Sequence, residues 1–278
     1  MKLGIIISAF VNGGAQRVAV TLAKWIGSRE ERCCIIELNS SEKNQYDDDG
    51  IELIRLPFLY TSKSIISRLR SFDRDNHIDV YIVMGVPMCM YVMPALRGTK
   101  AKIIVSERND PKNFQGKTIT KVLSRWLMGQ ANGFVFQTND ASDFYRNYKD
   151  KSVIIPNPVA EVPIVQERIP NELRRKEIVT AGRLVPQKNY EMLIRAFAKV
   201  AEILLDYKLI IYGEGNLKEH LVHLSNELGV GSRVVFRGAV NDLHERIVDS
   251  ELFILTSDFE GMPNALMEAM AMGLTCIS

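Results

Sequence analysis

Two carboxylates separated by seven residues, Glu260 and Glu268, lie in the stretch EGMPNALMEAMAMG. Pro263 suits the first helical position, where its missing N–H would be unpaired anyway, and Gly273 suits the position just past the helix end. Glu260 then falls in the loop before a helix, and Glu268 about one and a half turns into it. A carboxylate ahead of the helix can accept hydrogen bonds from hexose hydroxyls, and the second can clamp a cis-diol such as ribose. The amides around Gly261 and Asn264 face the same way. The plainer alternative has Glu260 complementing the helix dipole and Glu268 on the surface. Glu268, however, sits among Ala, Leu and Met, which argues against a carboxylate that meets only solvent.

Further upstream, AGRLVPQKN places Arg183 and Lys188 on a short loop between an apolar run and a helical one. Two cations there could grip a diphosphate from both sides, or they could be solvated loop charges. Near the N-terminus, Gly13 and Gly14 open a helix in NGGAQR, where free amides suit a phosphate or sugar oxygen; a simple tight turn is the alternative. The cluster Glu107, Arg108, Asn109 and Asp110 in VSERNDP ends another apolar run and could orient an acceptor hydroxyl, meet donor phosphates or be an ordinary charged loop.

Other patterns carry less. Gly213 and Gly215 form a GxG with neither a third glycine nor a ribose-binding acid at dinucleotide spacing. Asp47-Asp48-Asp49 contains a DxD in a polar loop ahead of a strand, and reads as solvated. His220 and His223 are three apart with no third ligand near, so they read as surface or packing residues. No Walker loop or Gly-x-Ser-x-Gly is present, which removes the common NTPase and hydrolase readings. No metal site is expected.

The elements that must position these residues alternate. KLGIIIS, CCIIEL, IELIRL, VYIVMG, KIIVS, GFVFQT and SVIIPN predict strands, with helical spacing in AQRVAVTLAKWI and near 62–75, 87–97, 118–131 and 140–147. Their continuous Ile and Val runs suit parallel strands buried on both faces. Four prolines (156, 158, 163 and 170) then punctuate an aperiodic stretch. Beyond it the alternation restarts with EIVTAG, KLIIYG, RVVFRG, LFILTS and LTCIS as strands separated by helical runs. The reading is α/β: a first domain over 1–157, a linker over 158–176 and a second domain over 177–278, with ligands expected past the carboxyl ends of strands.

Charge divides the same way. Residues 1–157 hold 22 Lys and Arg against 16 Asp and Glu, and residues 158–278 hold 13 against 17. The first half's whole excess lies within 97–125. Inside it, residues 112–128 interleave Phe114, Ile119, Val122, Leu123, Trp126 and Leu127 with Lys112, Lys117, Lys121 and Arg125. Such a helix can lie on anionic lipid, or be a domain helix with a solvated cationic face. No run reaches the length of a membrane span and no secretory segment is evident, so a cytoplasmic place is expected, with the inner face of the cell membrane as an extension of it. The four cysteines show no CxxC spacing and read as reduced structural thiols.

GRL and QKN at 182–189 followed by E-x7-E at Glu260 and Glu268, with FRG at 236–238, GGAQR and IPNP, resemble the retaining glycosyltransferases of family 4. SERNDP and QTNDASDFY are most similar to bacterial members that assemble surface polysaccharides or lipid-linked oligosaccharides. The resemblance implies the GT-B fold, two Rossmann-like domains with a cleft between them. It implies a UDP-sugar donor held mainly by the second domain, a glycan acceptor held mainly by the first, and no cofactor, metal or nucleic acid. The implied catalytic residues are Arg183 and Lys188, on the leaving diphosphate, and Glu260, on the transferred hexose. The implied donor-binding set is Gly13, Gly14, Gly182, Arg237, Gly238, Gly261, Met262, Asn264, Ala265 and Glu268, with Glu268 at the ribose and the Arg237-Gly238 loop at the base. Glu107, Arg108 and Asn109 are acceptor-side candidates, at a place where many members have a histidine. Retention is expected by front-face attack, without a protein nucleophile.

Against the family pattern the second domain reads as incomplete at Ser278, which predicts an exposed sheet edge, lowered stability and association. Two other readings stay open: a non-catalytic nucleotide- or carbohydrate-binding remnant, and a sugar-nucleotide 2-epimerase of the same fold.

Overall fold

The computed structural model describes residues 1–8, 14–38, 50–56, 62–113, 118–159, 162 and 169–278. Two compact units divide the chain, Met1–Asn157 and Pro158–Ser278. Gly13, Phe114, Lys117, Asp47, Asp48 and Asp49 lie outside the described residues.

The first unit is built on seven parallel strands, β1 (Lys2–Ile7), β2 (Arg32–Glu37), β3 (Glu52–Arg55), β4 (Val80–Met84), β5 (Lys102–Ser106), β6 (Gly133–Phe136) and β7 (Ser152–Ile154), in the order β3-β2-β1-β4-β5-β6-β7. Its helices are α1 (Gly14–Gly27), α2 (Ser62–Asn76), α3 (Cys89–Ala95), α4 (Thr118–Met128) and α5 (Asn139–Phe144). Strand β1 shows why its sequence is apolar from Leu3 onward. Ile5 and Ile7 turn into a core shared with Val18, Ala19 and Ala23 of α1, while Ile6 turns into the opposite core with Ile65 and Leu69 of α2. Both faces are covered, so no position can be polar without cost.

The second unit has five parallel strands, β8 (Arg175–Ala181), β9 (Lys208–Tyr212), β10 (Val234–Gly238), β11 (Ser250–Ile254) and β12 (Thr275–Ile277), ordered β10-β9-β8-β11-β12. Helices α6 (Tyr190–Val200) and α7 (Lys218–Glu227) cover one face through Leu193, Ile194, Phe197, Leu221 and Leu224. On the other face, α8 (Leu243–Ile247), α9 (Asn264–Ala271) and its C-cap Met272 pack Ile247, Ala269 and Met272 against Val179, Ile210 and Phe253. Each fully buried Val, Leu, Ile, Phe or Met side chain among these contributes about 1.5–3 kcal/mol.

Two boundaries differ from the sequence pattern. Arg174, inside the expected linker, is buried, and its guanidinium donates to the carbonyls of Ser250 at 2.8 Å and Gly273 at 3.2 Å. The end of the linker is thereby claimed by the second unit, whose first strand opens at Arg175. Pro263 is the N-cap of α9 rather than its first residue: its ψ of 103° is extended, and its carbonyl accepts from the Met267 N–H at 3.2 Å. Gly273 does end the helix, with φ of 76°, its N–H on the Met270 carbonyl and the Leu274 N–H on that of Ala269. This is the paired closure that a left-handed glycine permits.

Among the described residues no helix is long and apolar enough to cross a membrane. All four cysteines are free thiols, and burial pushes Cys34 up to about 12.

Candidate active site

The order of the second sheet reverses between β8 and β11, which makes the loops after those two strands the walls of a crevice at the carboxyl edge. The first loop is residues 182–189 and the second is residues 255–263. The sequence between them spans three strands, yet the two loops are fastened together at five points. Lys188 Nζ forms an ion pair with Glu260 Oε1 at 2.5 Å. Gln187 Nε2 donates to the Phe259 carbonyl at 2.9 Å, and the Asp258 N–H donates to the Gln187 carbonyl at 2.9 Å. Asn189 Nδ2 reaches Asp258 Oδ1 at 2.7 Å, and Thr256 Oγ1 donates to the Lys188 carbonyl at 3.0 Å.

The local sequence accounts for the first loop. Pro186 begins a single 3₁₀ turn, Pro186–Lys188, with φ already set for it. Asn189 ends the turn in the left-handed region, at φ 47° and ψ 44°, a conformation that asparagine tolerates better than most residues. From there Asn189 also caps α6, its side-chain oxygen accepting from the Met192 N–H at 3.3 Å. Tyr190 is buried under the loop, and burial pushes its phenol well above the ordinary range, so it is a neutral group.

The GxG after β9 has a structural purpose here. Gly213 takes φ of 136°, and a Cβ there would stand 1.9 Å from the Gly182 carbonyl oxygen; one on Gly215 would stand 2.3 Å from that of Leu184. The glycines let the loop after β9 lie against the loop after β8. Backbone bonds fix it: Gly182 N–H to Tyr212 at 2.9 Å, Leu184 N–H to Glu214 at 2.9 Å and Gly213 N–H to Gly238 at 2.7 Å.

Arg183, Lys188, Gly182 and Glu260 therefore share one rim. Arg183 is exposed and its side chain makes no hydrogen bond or ion pair among the described residues, whereas Lys188 and Glu260 keep only 16% and 20% of their side-chain surface. A free cation beside a half-buried, paired one is an arrangement that can accept a leaving diphosphate. Gly261, Met262, Asn264 and Ala265 lead from Glu260 into α9 and are partly buried.

Glu268 is not on the surface. It is 2% exposed on α9, and its Oε2 lies 2.8 Å from Nε2 of His244 on α8. Arg237 lines a cavity of about 340 Å³ with Arg175, Glu177, Tyr212 and residues of α8, a lining that includes neither Lys188 nor Glu260. Sequence reading missed His244, Gln187, Asn189 and Asp258. Their neighbours in QKN and SDFEG were the available signal, but a pairing across two loops is not written in either.

In the first unit the acceptor-side candidates form a network of their own. Glu107 is 4% exposed and accepts from the N–H of Arg108 at 2.9 Å, the N–H of Asn109 at 3.2 Å and the Tyr145 hydroxyl at 3.2 Å. Loss of hydration pushes its carboxyl above the usual range despite these donors. Arg108 donates to Asn157 Oδ1 at 2.7 Å, and Gln137 donates to the same atom. Burial brings Arg108 down to about 10. Glu107 thus holds the loop from within, and Asn109 is its exposed member. Gly14 opens α1 and is exposed. Among the described residues no three His, Cys, Asp or Glu side chains converge.

Helix α4 differs from the sequence expectation in its orientation. Ile119, Val122 and Trp126 face outward at 80%, 64% and 67% exposure, while Arg125 turns back to donate to the Pro111 carbonyl at 2.7 Å and lies 4.6 Å over the Phe144 ring. The outward face is apolar, and one of its four expected cations is occupied elsewhere.

The family described as Glycosyl transferases group 1 matches over residues 164–278. An Escherichia coli relative, a UDP-Gal:alpha-D-GlcNAc-diphosphoundecaprenol alpha-1,3-galactosyltransferase, is 31% identical, covering 95% of this chain and 75% of its own. The chain belongs to the group 1 glycosyltransferases. A second relative of this glycosyltransferase comes from Campylobacter jejuni serotype O:2, the N-acetylgalactosamine-N,N'-diacetylbacillosaminyl-diphospho-undecaprenol 4-alpha-N-acetylgalactosaminyltransferase. It is 28% identical, over 97% of this chain and 78% of its own. The structure of Anabaena HepE with UDP and glucose matches 100% of this chain and 80% of its own at a TM-score of 0.81 and 15% identity. Such a likeness establishes the GT-B fold for the glycosyltransferase, and this chain spans about three quarters of the length of the two relatives.

Proposed function

We propose that this enzyme is a retaining, metal-independent transferase that moves a hexose or N-acetylhexosamine from a UDP-sugar to a lipid-linked glycan during polysaccharide synthesis. The observation that carries the reading is the Lys188–Glu260 pair at the switch point of the second sheet, with exposed Arg183 on the same rim. Two relatives whose names specify diphosphoundecaprenol acceptors support the acceptor class. Solved relatives holding UDP support the nucleotide.

In this reading Arg183 and Lys188 take up the charge that develops on the diphosphate as the anomeric C–O bond breaks. Glu260 steadies the hexose through its hydroxyls and favours the positive charge spreading over the ring. The acceptor oxygen attacks from the side the diphosphate leaves, and its proton passes to the departing phosphate oxygen, so the new C–O bond keeps the old configuration. Glu268 takes the ribose hydroxyls, and the Gly238 loop lies toward the base. Asn109 and Arg108 offer polar atoms to the acceptor. The outward apolar face of α4 seats the enzyme on the inner membrane face, by insertion of Ile119, Val122 and Trp126 more than by charge.

The test supplies UDP-hexoses and UDP-N-acetylhexosamines with an undecaprenyl-diphosphate saccharide and follows sugar into the lipid phase. Transfer with UDP release in equal amount, α linkage in the product and loss in Lys188→Met is expected. UDP binding without any release of nucleotide from a sugar would leave a binding protein and end the transferase reading. Isomerised UDP-sugar without an acceptor would instead favour an epimerase.

A further inference from the structure

We propose that His244 is a positioning residue for Glu268, and that through it the site prefers ribonucleotides to their 2′-deoxy counterparts; this rests on the donor reading above. Glu268 is 2% exposed, beside Ala269 at 0% and Met272 at 2%. A carboxylate in such company is costly to bury unless it is paired. The seam between α8 and α9 supplies the pair. His244 Nε2 stands 2.8 Å from Glu268 Oε2, and the imidazole retains 18% of its surface.

The other charged groups of α8 are committed elsewhere. Arg246 pairs with Asp242 at 2.6 Å, and Glu245 lines the cavity that holds Arg237. His244 is thus the polar side chain of this short helix that turns inward. An ionised carboxylate only accepts hydrogen bonds, so Nε2 is the nitrogen that carries the proton and donates. The His244 bond helps to fix the plane of the carboxylate, whose two oxygens have the capacity to accept more. A fixed acceptor pair distinguishes a ligand that brings two adjacent hydroxyls from one that brings a single hydroxyl. Sites built to bond a hydroxyl reject analogues lacking it, because their own buried groups are then left unpaired. Without His244 the Glu268 carboxylate would be less firmly oriented and that discrimination would weaken, while Arg183 and Lys188 still held the diphosphate.

The experiment is calorimetric titration of the full chain with UDP and with 2′-deoxy-UDP. Wild type is expected to favour UDP by about tenfold or more, the effect of one charge-assisted hydrogen bond. In His244→Phe the preference should fall to about twofold or less with UDP still bound, and His244→Gln, whose amide nitrogen can stand where Nε2 stands, should restore it. Should the Phe variant not fold, His244→Asn, whose amide falls short of the carboxylate, reads the same ratio. A folded Phe or Asn variant that keeps the wild-type preference overturns the proposal, and so does a wild type that binds both nucleotides equally. Wild type that binds neither nucleotide overturns the donor reading itself and the proposal with it.

Discussion

Glu260→Gln should tighten the binding of UDP while it slows sugar transfer. Glu260 holds Lys188, and under the proposed function a diphosphate must share that cation or take it away. The pair is neither buried nor free, at 16% and 20% side-chain exposure. Coulomb attraction at about 4 Å with an effective dielectric near 20 is roughly 4 kcal/mol before desolvation. Exposed pairs measure about 0.2–1 kcal/mol and the breaking of buried ones costs about 3–5, so this pair falls at about 1–2 kcal/mol. Released from it, Lys188 should bind the diphosphate about tenfold more tightly, equivalent to ~1.4 kcal/mol. Transfer should fall roughly a hundredfold or more, as for the loss of one preorganised electrostatic contact to a transition state. Titration with UDP alongside steady-state turnover separates the two effects. Weakening of UDP in Glu260→Gln to the extent seen in Lys188→Met would refute the competition and make Glu260 a mere support for the lysine.

Three other outcomes follow from the geometry. Gly213→Ala should cost about 3 kcal/mol or more in denaturant unfolding, since its Cβ would meet the Gly182 carbonyl oxygen at 1.9 Å, whereas Gly229→Ala, at φ 72° with open space, should cost only about 1 kcal/mol; equal effects would remove the close approach as the cause. Burial raises the Glu107 carboxyl above its unfolded value, so the stability it contributes is complete below the ordinary carboxylate range and is lost as pH rises through the raised value. The melting temperature of Glu107→Gln should therefore gain on wild type as pH rises toward neutrality, and a difference that stays flat across that span would contradict the assignment. On anionic vesicles, Ile119→Ser with Trp126→Ser should lower co-sedimentation by about tenfold or more, from the apolar area lost, and Arg125→Gln should change it little; the opposite ranking would return the helix to a charge-driven role.

Much of this fold was legible because parallel strands bury both faces. Runs such as KLGIII, KIIVS and KLIIY could not be mistaken for amphipathic elements, and each became a strand. Arg183, Lys188 and Glu260 could be singled out in sequence because each lies in the loop past the end of a strand. Their convergence could not, since it depends on the strand order reversing between β8 and β11, a property of the whole sheet. The His244–Glu268 pair escaped notice for a different reason: α8 is five residues long, too short to show a face. Periodicity likewise could not say which of the two apolar sides of α4 is inward. Leu127 and Met128 are buried, and Ile119, Val122 and Trp126 are left outside. Glu107 reads in sequence as an acceptor-side candidate or an ordinary loop charge, but its three donors and 4% exposure make it the loop's internal anchor.

The proposal that the second unit holds a UDP-sugar donor is tested most directly by titrating the chain with UDP, GDP and ADP in parallel with Glu268→Gln. Selective binding of UDP, weakened about tenfold or more by the substitution, is the expected result, because the amide cannot accept a diol as the buried carboxylate does. Binding of UDP that Glu268→Gln leaves untouched, or a preference for GDP or ADP, would contradict it.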